Sequence, residues 1–319
     1  MGNKIKREIT KIEIPKGLRD RSVKGVQKAK SEIPNRSWPK WIALAASLFI
    51  LFGGYGIYKK DFQENSNSPV SGNNSSTDTL GQGLHIPAMK LPENSSNNET
   101  ADMIGLIVYN GKIYTQTTTE IDLTRAKDLV GEKIGKTKGN INEWSKRDAY
   151  AVKLASTIGE IDVFTVKGYD EGFRIMSYSD YDGRVVAEFY ECLNGVTIKD
   201  GEDVFGKLKL AGNIENVKYR SYDDWYNSVD NYYSVHDLNL LTTFVDELNN
   251  SVPLRRENIE GSLGDFRNNE MYKILYLYLD DGSKVSLNVI KGGYIHYGDP
   301  DLYFKMESDV FTELWELLG

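Results

Sequence analysis

Cysteine occurs once in these 319 residues, at Cys192. A single cysteine can form no internal disulfide and cannot supply a thiolate cluster for a metal. Histidine is almost as scarce. His85, His236 and His296 are scattered along the chain, whereas a zinc site needs three or four ligands converging on one point. No metal and no cofactor is expected. There is no Gly-x-Ser-x-Gly elbow and no Cys–His arrangement of the kind that activates a nucleophile. The acid pairs Asp180 and Asp182, Asp223 and Asp224, and Asp280 and Asp281 fall in turns. Neighbours in a turn give no sign of two carboxylates facing each other across a cleft. The stretch Gly131 to Thr137 resembles a phosphate-binding loop until it is counted. Three residues separate Gly131 from Gly135, and four are needed for successive amides to wrap a phosphate. The reading is of a protein that is not an enzyme.

Charge is unevenly spread. Residues 1–40 hold twelve Lys or Arg against four acids, so with −7 overall the remainder carries −15. An acidic body argues against nucleic acid as a direct partner, because phosphate binding needs a positive face. The basic end suits anionic lipid headgroups. It is followed by eighteen residues without a charge, Trp41 to Tyr58, which as a helix would span roughly 27 Å. The basic flank places the N-terminus in the cytoplasm. About 40 residues precede the run, and Tyr58-Lys59-Lys60-Asp61 follows it without a small-residue cleavage site, so it reads as a retained anchor rather than a signal peptide. The expectation is a single-pass protein of the cell membrane with an extracellular C-terminal domain.

Within the basic segment 1–40, a helix is predicted over 17–33. Leu18, Ser22, Gly25, Val26, Ala29 and Ile33 fall on one face, with Arg21, Lys24 and Lys28 beside it. Such a helix could lie on a lipid leaflet or dock a cytoplasmic partner. Pro34 and Pro39 end it. Residues 59–101 are rich in Ser and Asn and read as a disordered tether, interrupted by the apolar strip Leu84 to Pro92, which is suited to docking on the folded part.

Residues 102–319 are expected to form an α+β domain of antiparallel sheets and packed helices. Hairpins are predicted at Asn110-Gly111, Asp182-Gly183 and Asp281-Gly282. Helices are predicted over 123–130, 142–156 and 235–249, the last with Leu238, Leu241, Val245 and Leu248 on its apolar face. Ser308 would cap a terminal helix that buries Val310, Phe311, Leu314, Trp315 and Leu318. A strand, turn, strand pattern ending in Asp-Val-Phe occurs at 173–208 and again at 273–314, suggesting two related halves, 102–210 and 211–319. Six aromatics crowd between Tyr219 and Tyr233. Of these, Tyr222, Trp225, Tyr226, Tyr232 and Tyr233 form a candidate ligand surface, able to stack on glycan rings or grip a peptide. The alternative is that they plug the seam between the halves.

Through Ile12-Glu13-Ile14-Pro15-Lys16-Gly17-Leu18, the basic helix after it and the single span, the chain resembles single-pass anti-sigma factors of Gram-positive, Bacillus-type bacteria. The resemblance implies that the cytoplasmic helix sequesters a sigma factor and that an outer domain registers an envelope ligand. Leu18, Val26, Ala29 and Ile33 would then form the apolar contact, and Arg21, Lys24 and Lys28 would pair with acids on the partner. The His-x-x-x-Cys-x-x-Cys zinc motif of many anti-sigma domains is absent, so zinc is not carried over. Met103 to Gln116 and Val166 to Asp170 are similar to uncharacterised Bacillus-type membrane proteins, a likeness that implies no activity. The alternative function is a membrane-anchored envelope binding or structural module with no transcriptional partner.

Overall fold

The computed structural model describes residues 83–89, 105–138, 154–298 and 302–319. The segment 17–33, the run 41–58 and most of the tether lie outside the described residues, as does most of the helix expected over 142–156.

Turn chemistry sets the register of the sheets. Strand β1 (Leu84–Ile86) is followed by β2 (Leu106–Tyr109) and β3 (Lys112–Gln116). Asn110 and Gly111 join that pair at φ of 49° and 72°, a two-residue loop whose twist matches the strands. Next come β4 (Glu120–Ile121), the single-turn α1 (Ala126–Leu129), β5 (Val130–Lys136), β6 (Ala155–Ser156) and β7 (Asp162–Val166). Asp182 and Gly183, at 57° and 78°, turn β8 (Arg174–Tyr181) into β9 (Arg184–Glu191). These strands form an antiparallel sheet in the order β5-β7-β8-β9-β3-β2-β6. Alternation sends Ile175 and Tyr190 to one face and Met176 and Phe189 to the other, each into its own apolar cluster.

Among the described residues strand β10 (Val196–Ile198) pairs only with β1. A second large sheet starts with β11 (Ile214–Ser221), α2 (Tyr222–Tyr226), β12 (Tyr233–Val235), α3 (Leu238–Asn249), β13 (Val252–Arg255) and α4 (Glu257–Leu263). It is completed by β14 (Tyr272–Leu279), β15 (Ser283–Ile290), β16 (Tyr294–His296), β17 (Leu302–Lys305) and α5 (Asp309–Leu317). The order is β12-β11-β14-β15-β16-β17-β13, and β4 joins from outside that path by pairing with β15. Between β14 and β15 the loop has three residues. Gly282 donates its N–H to Leu279 O at 3.0 Å and, at φ 88°, closes the turn with the bulge that such loops carry.

One face of this sheet carries Leu275, Leu277, Val285, Leu287, Val289, Ile295 and Phe304 into the main core. Helices α3 and α5 and the segment Val204 to Leu210 cover it. Asp237 caps α3 by accepting from Leu240 N at 3.0 Å, and Ser308 caps α5 by accepting from Phe311 N. On α3 the buried residues are Leu240, Leu241, Phe244, Val245 and Leu248. Leu238, expected on that face, is 62% exposed, because it directly follows the cap where the helix has yet to meet the sheet.

The fold corrects the α+β expectation. The described residues are mainly β-sheet, 42% strand against 19% helix. Gly131, read as a helix end, lies in β5, and Ala155 and Ser156, read as helix, pair with Val108 and Ile107. The stretch once compared with a phosphate loop is thus largely edge strand, its amides turned to a ladder. The expectation of a single-pass membrane protein with an extracellular domain is corrected as well. Among the described residues no helix is long and apolar enough to cross a membrane. The longest, α3, has 12 residues, roughly 18 Å against the ~30 Å of a bilayer core.

Phe205 is fully buried, edge-on to Phe304 with ring centroids 4.6 Å apart. Phe205→Ala is expected to lower stability by about 3–5 kcal/mol, read as an earlier midpoint in urea with an unchanged slope.

Candidate functional site

Two places concentrate polar chemistry, a buried seam and a partly covered sheet face. The seam begins with Arg174, the first residue of β8, which the hairpin register sets opposite Glu191, the last residue of β9. They are 0% and 2% exposed. Arg174 Nε donates to Glu191 Oε1 at 3.0 Å, and the guanidinium lies over the rings of Phe189 and Tyr169, 4.5 and 4.6 Å from their centroids. Burial disfavours the charged guanidinium, but the Glu191 carboxylate more than offsets this and holds its pKa above the ordinary value. Arg174 Nη1 is buried and has no hydrogen-bond partner among the described residues.

The third member arrives from the other large sheet. Tyr297, the residue after β16, donates its hydroxyl to Glu191, 2.8 Å from Oε2, and accepts from Thr119, whose Oγ1 is 2.8 Å away. Burial and then the nearby carboxylate push the Tyr297 phenol well above its usual value. A second bridge runs from Tyr169 to Asp281, whose Oδ2 accepts at 2.6 Å. Burial pushes the Asp281 carboxyl up, but hydrogen bonds from Ser283 and Tyr169 and the Arg174 charge bring it below the usual carboxylate range. Beside this bridge lies a recess of about 200 Å³, lined among others by Lys167, Lys209, Asn213 and Asp280. With both ions shut away from solvent, the Arg174–Glu191–Tyr297 group can position strands, but no substrate reaches it.

The outer face of the second sheet is different. Alternation places Tyr272, Ile274, Tyr276 and Tyr278 of β14 on it, beside Lys218 and Arg220 of β11 and Lys284, Ser286 and Asn288 of β15. Helices α2 and α4 cover one end through Trp225, Ile259 and Leu263. At the other end Lys218, Tyr278 and Lys284 are half-buried and Tyr232 is exposed, while Tyr276 and Arg220 are buried. There each of three rings carries a cation: Lys218 is 5.5 Å from the Tyr278 centroid, Lys284 5.2 Å from Tyr276, and Arg220 5.0 Å from Tyr232. Lys284 also pairs with Glu120 at 2.7 Å.

The five aromatics of the candidate ligand surface are divided by the fold. Tyr222 and Trp225 are half-buried, packed on Tyr272 in the second apolar cluster, and Tyr226 stacks exposed on Tyr222. Tyr232 stands on the outer face against Tyr276, with ring centroids 5.4 Å apart. Tyr233 stacks instead on Tyr219, which packs against the main core. The rings that do sit at the seam, Tyr169 and Tyr297, are outside that cluster. Tyr276 and Tyr278 went unread, although their i, i+2 spacing in a strand marks one face. Leu18, Arg21, Lys24, Val26, Lys28, Ala29 and Ile33 lie outside the described residues. Among the described residues no three His, Cys, Asp or Glu side chains are grouped to hold a metal ion.

Two outcomes follow for the seam. Glu191→Ala should cost about 3–5 kcal/mol by stranding a buried cation, whereas Arg174→Met with Glu191→Leu should recover most of it; denaturation of the three proteins checks this. The pH dependence rests on phenols. Burial raises Tyr169 and Tyr276 from 10.0 to about 12, so the folded state favours their neutral forms. That stability is fully present below pH 10 and is lost as pH rises through about 12. The urea midpoint should stay level up to about pH 9 and fall above about pH 10.

Comparison with family models, with curated proteins and with solved structures finds no match, and nothing in those comparisons identifies an anti-sigma factor or a Bacillus-type relative.

Proposed function

We propose that this chain is a regulatory binding protein. Its β domain takes an elongated anionic ligand on the tyrosine–cation face of the second sheet, and its basic segment 17–33 holds a sigma factor. The observation that carries the ligand half is the cation over each of three neighbouring rings, Lys218 with Tyr278, Lys284 with Tyr276 and Arg220 with Tyr232. The half-buried Tyr278 and the exposed Tyr232 offer flat apolar area to a sugar ring, and the Lys218 ammonium beside Tyr278 offers charge-assisted donors to a carboxylate.

The sigma-factor half is supported by the sequence of 17–33. Leu18, Val26 and Ile33 fall on one helical face with Ala29, and fully burying a large aliphatic side chain contributes about 1.5–3 kcal/mol. Arg21, Lys24 and Lys28 beside them suit acids on a partner.

Full-length protein tests both halves. Tyr278→Ala with Lys218→Ala should weaken binding to a polyuronate about tenfold, equivalent to ~1.4 kcal/mol, in a titration at low salt; unchanged affinity would remove the ligand face. Leu18→Asp should lose a sigma factor from a crosslinked pull-down while polyuronate binding persists. Capture of the same proteins by wild type and Leu18→Asp would leave a binding module without a transcriptional partner.

A further inference from the structure

The strand β1 sits on the domain as a bound peptide would. It pairs with β10 over three residues, Leu84 opposite Ile198, His85 opposite Thr197 and Ile86 opposite Val196. Leu84 and Ile86 are buried in the main core while His85 between them faces out. Groups from separate parts of the chain hold its backbone. Gly195 N donates to Ile86 O at 3.0 Å, Arg255 of β13 donates to His85 O at 2.7 Å, and Asn194 Oδ1 accepts from Met89 N at 3.1 Å. Asn194 is itself oriented by donating to Ile113 O at 2.8 Å. Entry to the groove is tight. Gly83 adopts φ +74°, and a Cβ there would lie 2.7 Å from Ile198 O.

We propose that the edge of β10 is a strand-addition site for an extended peptide with apolar side chains two residues apart, and that the chain's own segment 83–89 is its exchangeable resident. The groove has the parts that such recognition uses, a free ladder edge for the main chain and pockets for alternate side chains. β1 is the only strand paired with β10 among the described residues, so its departure opens the whole edge and both pockets at once. Three residues of ladder and two buried side chains only narrowly offset the entropy of ordering the segment, which makes the resident displaceable. The chemistry of the incoming peptide is that of the resident: glycine, then apolar, any, apolar. This inference is independent of the tyrosine face, and its test leaves that face untouched.

The experiment uses full-length protein and a fluorescent peptide with the sequence of residues 83–89. In the double variant Leu84→Asp with Ile86→Asp the groove is vacated, and the peptide should bind saturably and at least tenfold more tightly than to wild type. Adding Arg255→Ala should weaken that binding several-fold. Backbone amides of Val196 to Ile198 should exchange hydrogen faster in the double variant and be protected again by peptide. If the double variant does not fold, Gly83→Val carries the same test, since it obstructs the entry without placing a charge in the core. Absence of saturable binding to a folded, vacated variant would overturn the proposal. A concentration-dependent dimer of wild type, lost in the vacated variant, would also overturn it by giving the groove to a second copy.

Discussion

The Arg174–Glu191 pair is the constraint around which the two large sheets are arranged. A guanidinium and a carboxylate that are both out of water are tolerable only if nearly every lone pair and proton has a partner. Glu191 cannot meet that condition from its own sheet. It accepts a hydrogen bond from the Tyr297 hydroxyl at the strand end following β16, and that hydroxyl accepts one from Thr119 on the connection into β4. Removing water from the pair therefore requires a residue of the second sheet and a loop of the first to meet at one point. The pairing of β4 with β15 fixes the same junction from the backbone side. The apolar clusters give each sheet its stability, while the polar group specifies how one is placed against the other.

A sheet with apolar side chains on both faces needs two covers, and the second sheet has one and a half. Its inner face is closed by α3, α5 and the Val204 to Leu210 segment. Its outer face is closed only where α2 and α4 lie. Where the cover stops, the residue types change, from Ile274 and Ile290 to Tyr278, Lys284 and Ser286. Tyrosine and lysine leave their polar ends in water while their stems and rings protect the sheet, so this face is stable without a lid. The same property leaves the Tyr278 ring and the Lys218 ammonium partly in water, which is why the face is a better candidate for binding than for chemistry.

What could be read in the sequence is what depends on neighbours along the chain. Asn110-Gly111 and Asp182-Gly183 are legible because positive φ at two successive positions suits few other residues. Ser308 is legible because a cap acts over three residues. The strip at 84–92 is legible because it is apolar in a polar stretch, although nothing local shows that it pairs with residues more than a hundred positions away. The seam was not legible for that reason. Tyr297 and Glu191 are 106 residues apart, and neither carries a local pattern that marks it. The helix read over 123–130 is present as a single turn, Ala126–Leu129, and what the sequence did not show is that the chain enters β5 directly at Val130. The aromatic cluster misled differently: proximity in sequence put Tyr232 and Tyr233 together, whereas Tyr232, just before β12, packs on Tyr276 and Tyr233, the first residue of β12, packs on Tyr219.

The strand-acceptor groove and the seam are not separate features of the chain. Glu191 ends β9, Leu193 and Asn194 follow, and Val196 begins the groove wall, so eight residues connect the buried carboxylate to the far end of β10. Leu193 is pressed near Gly298, next to Tyr297, where a Cβ would lie 2.5 Å from Leu193 Cδ1. Asn194 reaches across to β3 through Ile113 and to the resident peptide through Met89. Spatial contiguity alone is a weak basis for coupling, and a physical one requires an element with two discrete arrangements. Under the strand-addition proposal β1 is such an element, laid on β10 or off it. The Leu193–Asn194 step touches the peptide, the first sheet and the Tyr297 end of the second, beside the direct contacts that Met89 makes with the first sheet and Arg255 with His85 O.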